Sequence, residues 1–308
     1  MEIGAALVKQ LRDKTGAGMM DCKRALLENN GDITIAEEYL RKKGLMDAAK
    51  KSSRAAAEGL VAVTVSGDRK TASIVEVNSE TDFVARNEKF QELVREIVSI
   101  ATTTDDIVNA RTSNGKAVKE EIDSLISLVG ENLTFRRSKK INVDRGIIST
   151  YVHSSICPGM GKIGVLVAME APQELDVNTI DEFGRKVAMH IAAANPSYLC
   201  QGSVPSEVVA KEKEIAIAQA IETGKPQAIA EKIAEGRVKK FYEESVLLDQ
   251  VFVIDGKAKV SDAVGAFGKD HGCDVKIVDF VKFVLGEGIE KAETNFADEV
   301  AAFMAPHS

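Results

Sequence analysis

Apolar positions near the start of the chain recur at the three- to four-residue spacing of amphipathic helices. One such segment ends at the glycine-rich run 15–18, and a second ends at the Asn-Asn-Gly run 29–31. Asp32 is placed to cap a third helix and Gly44 to end it, because short polar residues and glycines are preferred at those positions. The pattern predicts a compact three-helix unit over residues 1–55.

The middle of the chain repeats one order of elements. After a basic, alanine-rich stretch at residues 48–57, which predicts a helical linker, two alternating segments joined at Gly67-Asp68 predict a β-hairpin. Two helices and a strand follow, and the same order restarts after residues 144–146. The predicted strands are 59–66, 71–78, 132–143, 147–154, 163–170 and 275–285, and the predicted helices are 87–100, 115–129, 178–194 and 260–271. The order β-β-α-α-β thus occurs twice and predicts two related α+β halves, 56–144 and 145–285.

The second half contains a helical insertion at residues 204–242. It is interrupted only by Thr223-Gly224-Lys225-Pro226, and a glycine followed by a proline between two helical patterns predicts a helical hairpin. Each arm of about 16 residues would be roughly 25 Å long at the rise of an α-helix. An arm that projects to meet a partner and a plainly packed helical pair both agree with this pattern.

The last residues, 286–308, form a separate C-terminal module in this scheme. Phe296, Val300 and Phe303 lie at helical spacing within residues 294–304, which predicts one short amphipathic helix. Acidic residues outnumber basic ones here. A docking helix and a fraying tail both agree with this composition.

Composition and charge narrow the class of protein. The formal net charge of the 308 residues is −7, which disfavours a general nucleic-acid binder, since such proteins usually carry a basic face. Aromatic residues are 5% of the chain and tryptophan is absent, which disfavours a platform for stacking bases. No apolar run approaches the roughly 20 residues of a membrane span, and the first residues do not resemble a signal peptide. We expect a cytoplasmic protein with no direct nucleic-acid or membrane partner.

Motifs for catalysis are missing from the sequence. The four cysteines and four histidines are scattered, with none of the spacings typical of zinc sites. Gly159-x-Gly161-x-x-Gly164 has the letters of a dinucleotide fingerprint, but a predicted strand follows it where a helix is required, which favours a hairpin loop. No Gly-Lys pair is followed by the serine or threonine of a phosphate loop. We therefore expect no catalytic residue, no cofactor and no metal.

One segment between a predicted strand and a predicted helix does carry a signal. Residues 81–84 read Thr-Asp-Phe-Val. Thr81 or Asp82 could cap the helix while Phe83 and Val84 belong to the core. Alternatively, an aromatic side chain at the tip of a loop would be an exposed anchor of the kind found at binding hot spots.

This segment resembles a motif of the translation elongation factor Ts family, and residues 11–23 resemble the N-terminal motif of that family. Further stretches similar to the family follow in the same order along the chain: 31–32, 48–51, 130–132 with 136–137, 164–168, 188–193, 224–226, 229–232, 235–237 and 286–291. The resemblance covers essentially the whole chain. Residues 102–115 and 154–162 match no family motif, and we expect them to be variable surface.

The resemblance implies an architecture that agrees with the pattern analysis. The family combines a three-helix domain like the ubiquitin-associated domain, a duplicated α+β core, an antiparallel coiled-coil hairpin and a C-terminal helix. On this chain the parts would be residues 1–55, 56–144, 145–285 with the hairpin at about 204–242, and 286–308.

The resemblance also implies a function. Members of the family bind the GTPase elongation factor Tu and promote release of GDP and Mg²⁺, so that GTP can load. Thr81, Asp82, Phe83 and Val84 would form the contact that displaces Mg²⁺, with Phe83 inserted between side chains of the GTPase. Met19 and Met20 would be further contacts, although packing inside the helical bundle is an equal alternative for both. A passive scaffold or chaperone of the GTPase is the alternative function, and an enzyme is disfavoured by the missing motifs.

Overall fold

The computed structural model describes residues 3–172 and 174–290 and shows a mixed α+β protein. Its helices are α1 (Ala5–Thr15), α2 (Met19–Glu28), α3 (Ile33–Lys51), α4 (Glu88–Ile100), α5 (Val118–Val129), α6 (Val177–Ala194), α7 (Ser206–Glu222), α8 (Gln227–Ser245) and α9 (Val260–Asp270). Its strands are β1 (Glu58–Val65), β2 (Thr71–Ser79), β3 (Leu133–Asn142), β4 (Ile147–His153), β5 (Met160–Gly161), β6 (Ile163–Glu170) and β7 (Lys276–Val284). Every strand longer than two residues lies within a residue or two of a predicted one.

The three N-terminal helices pack on a small apolar core of their own. Helix α1 ends at Gly16, whose φ of +71° is the left-handed conformation that glycine adopts without strain. The carboxylate of Asp32 accepts the N–H groups of Thr34 and Ile35, which confirms the predicted cap of α3. The shared core consists of Val8, Leu11, Cys22, Ala25, Leu26 and Ala36.

The prediction that the third helix ends at Gly44 is wrong. Helix α3 continues to Lys51, so the predicted helical linker at residues 48–57 is helical only in its first part. Gly44 lies where α3 passes α5, and a Cβ added there would be 2.6 Å from the hydroxyl oxygen of Ser127. This glycine allows two helices to approach closely, although glycine inside a helix has a cost in conformational entropy.

Two antiparallel sheets form the core. The first has the strand order β3-β2-β1-β5 and the second has the order β4-β6-β7. Helices α4 and α5 cover the first sheet, and α6 and α9 share an apolar core with the second. The sheets meet through residues that include Val61, Ile74 and Leu166. Gly164 lies at this junction, since an added Cβ would be 2.8 Å from side-chain carbons of both Val61 and Ile74.

The expectation that residues 154–162 are variable surface is wrong for the second part of that segment. Met160 is 1% exposed and pairs with Ala62 at the edge of the first sheet. The N–H of Val63 donates to the carbonyl of Gly159. The segment therefore satisfies the free edge of β1, which would otherwise present unpaired backbone groups.

The insertion forms two helices that pair along their length. Alanines supply the contact between α7 and α8, namely Ala216, Ala220, Ala230 and Ala234. The larger Ile215 and Ile229 are exposed instead. Leaving out β5 and this pair, both halves show the predicted order β-β-α-α-β. The duplication, the coiled-coil character of the pair and the domain boundaries remain predictions.

The predicted C-terminal helix at residues 294–304 lies outside the described residues. Within residues 3–172 and 174–290, no helix is both long enough and apolar enough to cross a lipid bilayer.

Candidate functional site

The segment singled out in the sequence forms an exposed turn at the end of β2, which we call the tip (residues 81–84). Strand β2 is buried up to Ser79, and Thr81 is half-buried. Asp82 is exposed, and Phe83 is 80% exposed. The chain then returns to the core, because Val84 is buried. Two protruding residues are thus held between two anchored ones.

The alternative in which Thr81 or Asp82 caps the following helix is wrong. Helix α4 begins at Glu88 and is capped by Asn87, whose side-chain oxygen accepts the N–H groups of Lys89 and Phe90. A short 3-10 helix from Val84 to Arg86 lies between this cap and Phe83. That alternative also placed Phe83 and Val84 in the core, and this holds only for Val84.

Hydrogen bonds hold the tip on its N-terminal side. The N–H of Thr81 donates to Oε2 of Glu131 at 2.9 Å, and its hydroxyl donates to Oε1 at 2.6 Å. The hydroxyl of Ser79 donates to the carbonyl of Thr81 at 2.7 Å. For Asp82, no side-chain hydrogen bond or ion pair to the described part of the chain is present. Asp82 is instead exposed to solvent.

Sequence patterns assign no role to Glu131 or to Glu80, which accepts the N–H of Asn132 at 2.6 Å. These contacts join positions about fifty residues apart, and hydrophobic periodicity cannot reveal such pairs. The available signal is that residues 130–132 belong to the motifs that resemble the elongation factor Ts family.

Met19 and Met20 open α2 and point away from the bundle core. Their exposed fractions are 42% and 68%, so the alternative that they are core residues is wrong. The turn before these methionines lies near α4, the helix that follows the tip. A Cβ added at Gly16 would be 3.7 Å from Nζ of Lys89 in the first turn of α4. The N-terminal helices and the segment after the tip are therefore neighbours.

A cleft of about 320 Å³ separates the N-terminal helices from α5. Ion pairs between Lys14 and Glu37 and between Lys43 and Asp21 line it. Burial raises the pKa of Asp123 on its α5 wall, although nearby Lys119 acts in the opposite direction. The lining alternates charges of both signs, which favours a seam between two packed units over a pocket for a charged ligand.

In the described residues, no three histidine, cysteine, aspartate or glutamate side chains come together as a metal site would require. The Gly159-to-Gly164 run covers part of the connection from β4 to its antiparallel partner β6, including β5 and the first two residues of β6, and no helix follows it, which confirms the hairpin prediction. Its last glycine serves the contact between the two sheets.

Comparison with known proteins gives a consistent family. A family model described as Elongation factor TS matches residues 80–287, a range that begins one residue before the tip. The chain is 51% identical over 306 residues to elongation factor Ts of Rhodospirillum centenum, with 98% of each chain covered. It is 52% identical over 306 residues to elongation factor Ts of Brucella anthropi, covering 98% of this chain and 99% of that one. The corresponding protein of Rhodospirillum rubrum is 48% identical over 307 residues, with 98% of each chain covered.

Proposed function

The chain belongs to the elongation factor Ts family, a family of translation elongation factors, and we propose that it is a guanine nucleotide exchange factor for elongation factor Tu. It would bind the GDP-bound GTPase, promote release of GDP and Mg²⁺, and leave the site free for GTP. The observation that carries this proposal is the 80% exposure of Phe83 in a turn anchored on both sides. A large apolar side chain held in solvent is typical of a residue that becomes buried in a partner.

The proposed mechanism is a wedge that acts on the Mg²⁺ site of the partner. Phe83 inserts between side chains of the GTPase domain, and the carboxylate of Asp82 perturbs the elements that hold the cation. Loss of Mg²⁺ removes a large counter-charge of the diphosphate, which weakens nucleotide binding. Val84 is already buried in this chain, so its proposed share in the contact is to anchor the tip.

The energy required exceeds what the wedge alone can supply. Weakening a nanomolar nucleotide complex to a micromolar one takes about 4 kcal/mol. Burial of one phenylalanine supplies roughly 1.5–3 kcal/mol. We therefore propose that other surfaces bind the GTPase too, with the exposed Met19 and Met20 among them. Coupling between two ligands is reciprocal. GDP must therefore lower the affinity of elongation factor Tu for this chain by the same ratio by which this chain lowers its affinity for GDP.

The test is the rate at which purified elongation factor Tu releases labelled GDP. We expect Phe83→Ala and Asp82→Ala each to slow the stimulated release by about tenfold or more, the effect of losing 1.4 kcal/mol or more of coupling. Val108→Ala is the control, since it removes an exposed apolar side chain from a stretch that resembles no family motif. Unchanged release in both tip variants would show that the tip is not the exchange site.

A second measurement separates exchange from passive scaffolding. The affinity of the chain is measured for nucleotide-free and for GDP-bound elongation factor Tu. An exchange factor must bind the nucleotide-free form more tightly. Equal affinity for the two forms would instead favour a scaffold or chaperone that holds the GTPase without changing its nucleotide.

A further inference from the structure

Two turns at the same end of the first sheet are joined by reciprocal hydrogen bonds, in which a backbone N–H of each turn donates to a carboxylate of the other. The N–H of Thr81 donates to Glu131, and the N–H of Asn132 donates to Glu80. Each turn therefore supplies one acceptor and one backbone donor to the other. We call these four residues the tip clasp: Glu80, Thr81, Glu131 and Asn132.

Each half of the clasp is supported by the fold beneath it. Glu131 follows Gly130, which ends α5 with a φ of +82°, and precedes the buried Leu133 of β3. Asn132 is 3% exposed, and its amide group donates to the carbonyl of Arg54 at 2.8 Å. The clasp thus fastens the tip to two core elements and to the segment that leaves α3.

Thr81 has little capacity left for a partner. Its N–H and its hydroxyl both donate to Glu131, and its carbonyl accepts from Ser79. Bonds to a carboxylate are stronger than those between neutral groups. Thr81 therefore acts inside the chain, and the two residues that follow it are the ones presented to solvent.

From this geometry we infer that Glu131 is a positioning residue for nucleotide exchange, acting through Thr81 to hold Asp82 and Phe83 in the orientation that the GTPase meets. The inference rests on the proposed function. Without the bonds from Thr81 to Glu131, the tip keeps its anchor at Val84 and the single bond from the Ser79 hydroxyl to the Thr81 carbonyl. More of the ordering of the tip must then occur on binding, which lowers the fraction of complexes in which the wedge is inserted. In this proposal Glu131 affects the release rate more than the affinity of the chain for the GTPase, because other surfaces supply most of that affinity.

The test is the dependence of GDP release on the concentration of the factor. We expect Glu131→Ala to lower the maximal release rate about five- to tenfold, the scale set by losing charge-assisted hydrogen bonds, while the half-saturating concentration changes less than about twofold. Thr81→Val, which removes only the hydroxyl, should lower the maximal rate less. Thr81→Val combined with Glu131→Ala should be no slower than Glu131→Ala alone, because both act on one contact.

Asp68→Ala provides a matched control at the other end of β2. The carboxylate of Asp68 also accepts one hydroxyl and one N–H, those of Ser66 and Lys70. If Glu131 only stabilised the fold, Glu131→Ala and Asp68→Ala would lower the maximal release rate alike. An equal decrease of that rate in Asp68→Ala therefore overturns the inference. Hydrogen exchange gives a readout independent of activity: the amide of Thr81 should exchange faster in Glu131→Ala while the amides of β2 do not change.

The outcomes separate the inference from the proposed function. A normal maximal rate in Glu131→Ala, together with a slow Phe83→Ala, overturns the positioning role and leaves the exchange site standing. Normal rates in Phe83→Ala and Asp82→Ala overturn the proposed site itself. Unchanged amide exchange at Thr81 in Glu131→Ala would show that the clasp does not order the tip.

Discussion

Phe83 illustrates how a single residue acquires a role from its neighbours. Exposed phenylalanine on its own is common, since much of any protein surface is apolar. Here the residue before Asp82 is bound to Glu131, and the residue after Phe83 is buried. The backbone cannot easily fold the ring back onto the protein, and its exposure is therefore a property that the fold maintains.

His190 is a second residue whose chemistry is fixed by burial. The N–H of Val253 donates to its Nδ1, so the proton of the neutral ring is on Nε2 and faces Oε1 of Gln250 at 2.9 Å. Burial lowers the pKa of His190 below its ordinary value of 6.5, and the bond to Gln250 opposes this only in part. The folded state holds the ring neutral.

This environment predicts a pH dependence of stability. The unfolded chain binds a proton at His190 more readily than the folded chain, so the free energy of unfolding falls as the pH drops below about 6.5 and levels off below the lower folded-state pKa. Denaturant titrations between pH 7.5 and 5 measure it. His190→Gln, which cannot titrate, should lose this part of the slope. An identical slope in the two proteins would contradict the assignment.

Glycines show how the elements are fitted together. Gly184 lies in the middle of α6, where an added Cβ would overlap the Ser149 hydroxyl of β4 and the terminal methyl of Met169. Gly236 lies in the middle of α8 with nothing within 4 Å of an added Cβ. Gly184 therefore allows α6 to pack closely against the second sheet, whereas Gly236 has no close neighbour that requires a glycine.

These two glycines form a matched pair for a stability measurement. Gly184→Ala should destabilise the protein by about 1–3 kcal/mol, because overpacking a core forces backbone shifts. Gly236→Ala should stabilise the helical pair by about 0.5–1 kcal/mol, because alanine favours a helix interior. Urea denaturation of both variants checks the signs. Destabilisation by Gly236→Ala would mean that this position has a close contact.

At the scale of the whole molecule, one buried carboxylate links the two sheets. Glu76 of β2 is completely buried and binds Arg136 at 2.9 Å and Arg137 at 2.6 Å, both on β3. It also accepts the N–H of Gly286, just beyond β7 of the other sheet. Burial alone would raise the pKa of Glu76, but these donors together lower it below its ordinary value.

Loss of the negative charge of Glu76 should lower the stability of the whole protein. Glu76→Gln is expected to lower the free energy of unfolding by about 2–4 kcal/mol, because the two arginines lose their buried partner. Glu287→Ala removes an exposed carboxylate from the same Arg137 and should cost less than about 1 kcal/mol. Because the folded-state pKa is lowered, wild-type stability should also fall as the pH drops below about 4.5, and Glu76→Gln should lose that decrease. Equal costs for the two variants would show that Glu76 is not the central link.

The sequence by itself determined the local structure. Alternation with a period of two and spacing of three to four residues place strands and helices, because burial on one face acts on neighbours along the chain. The cap at Asp32 and the break between two helices at residues 223–226 were also predictable, because capping and chain reversal depend on residues that are neighbours along the chain. The motif at residues 81–84 was visible as well, and so was the family.

Tertiary structure alone decided which residues meet across the chain. Gly44 has the chemistry of a helix end but lies inside α3, because Ser127 of another helix needs the space. Met160 is buried because the edge of β1 requires a partner. Glu131 reaches Thr81 because β3, which begins two residues after it, pairs with β2. These contacts join positions that no local pattern relates, and they determine that Phe83 faces solvent while Val84 does not.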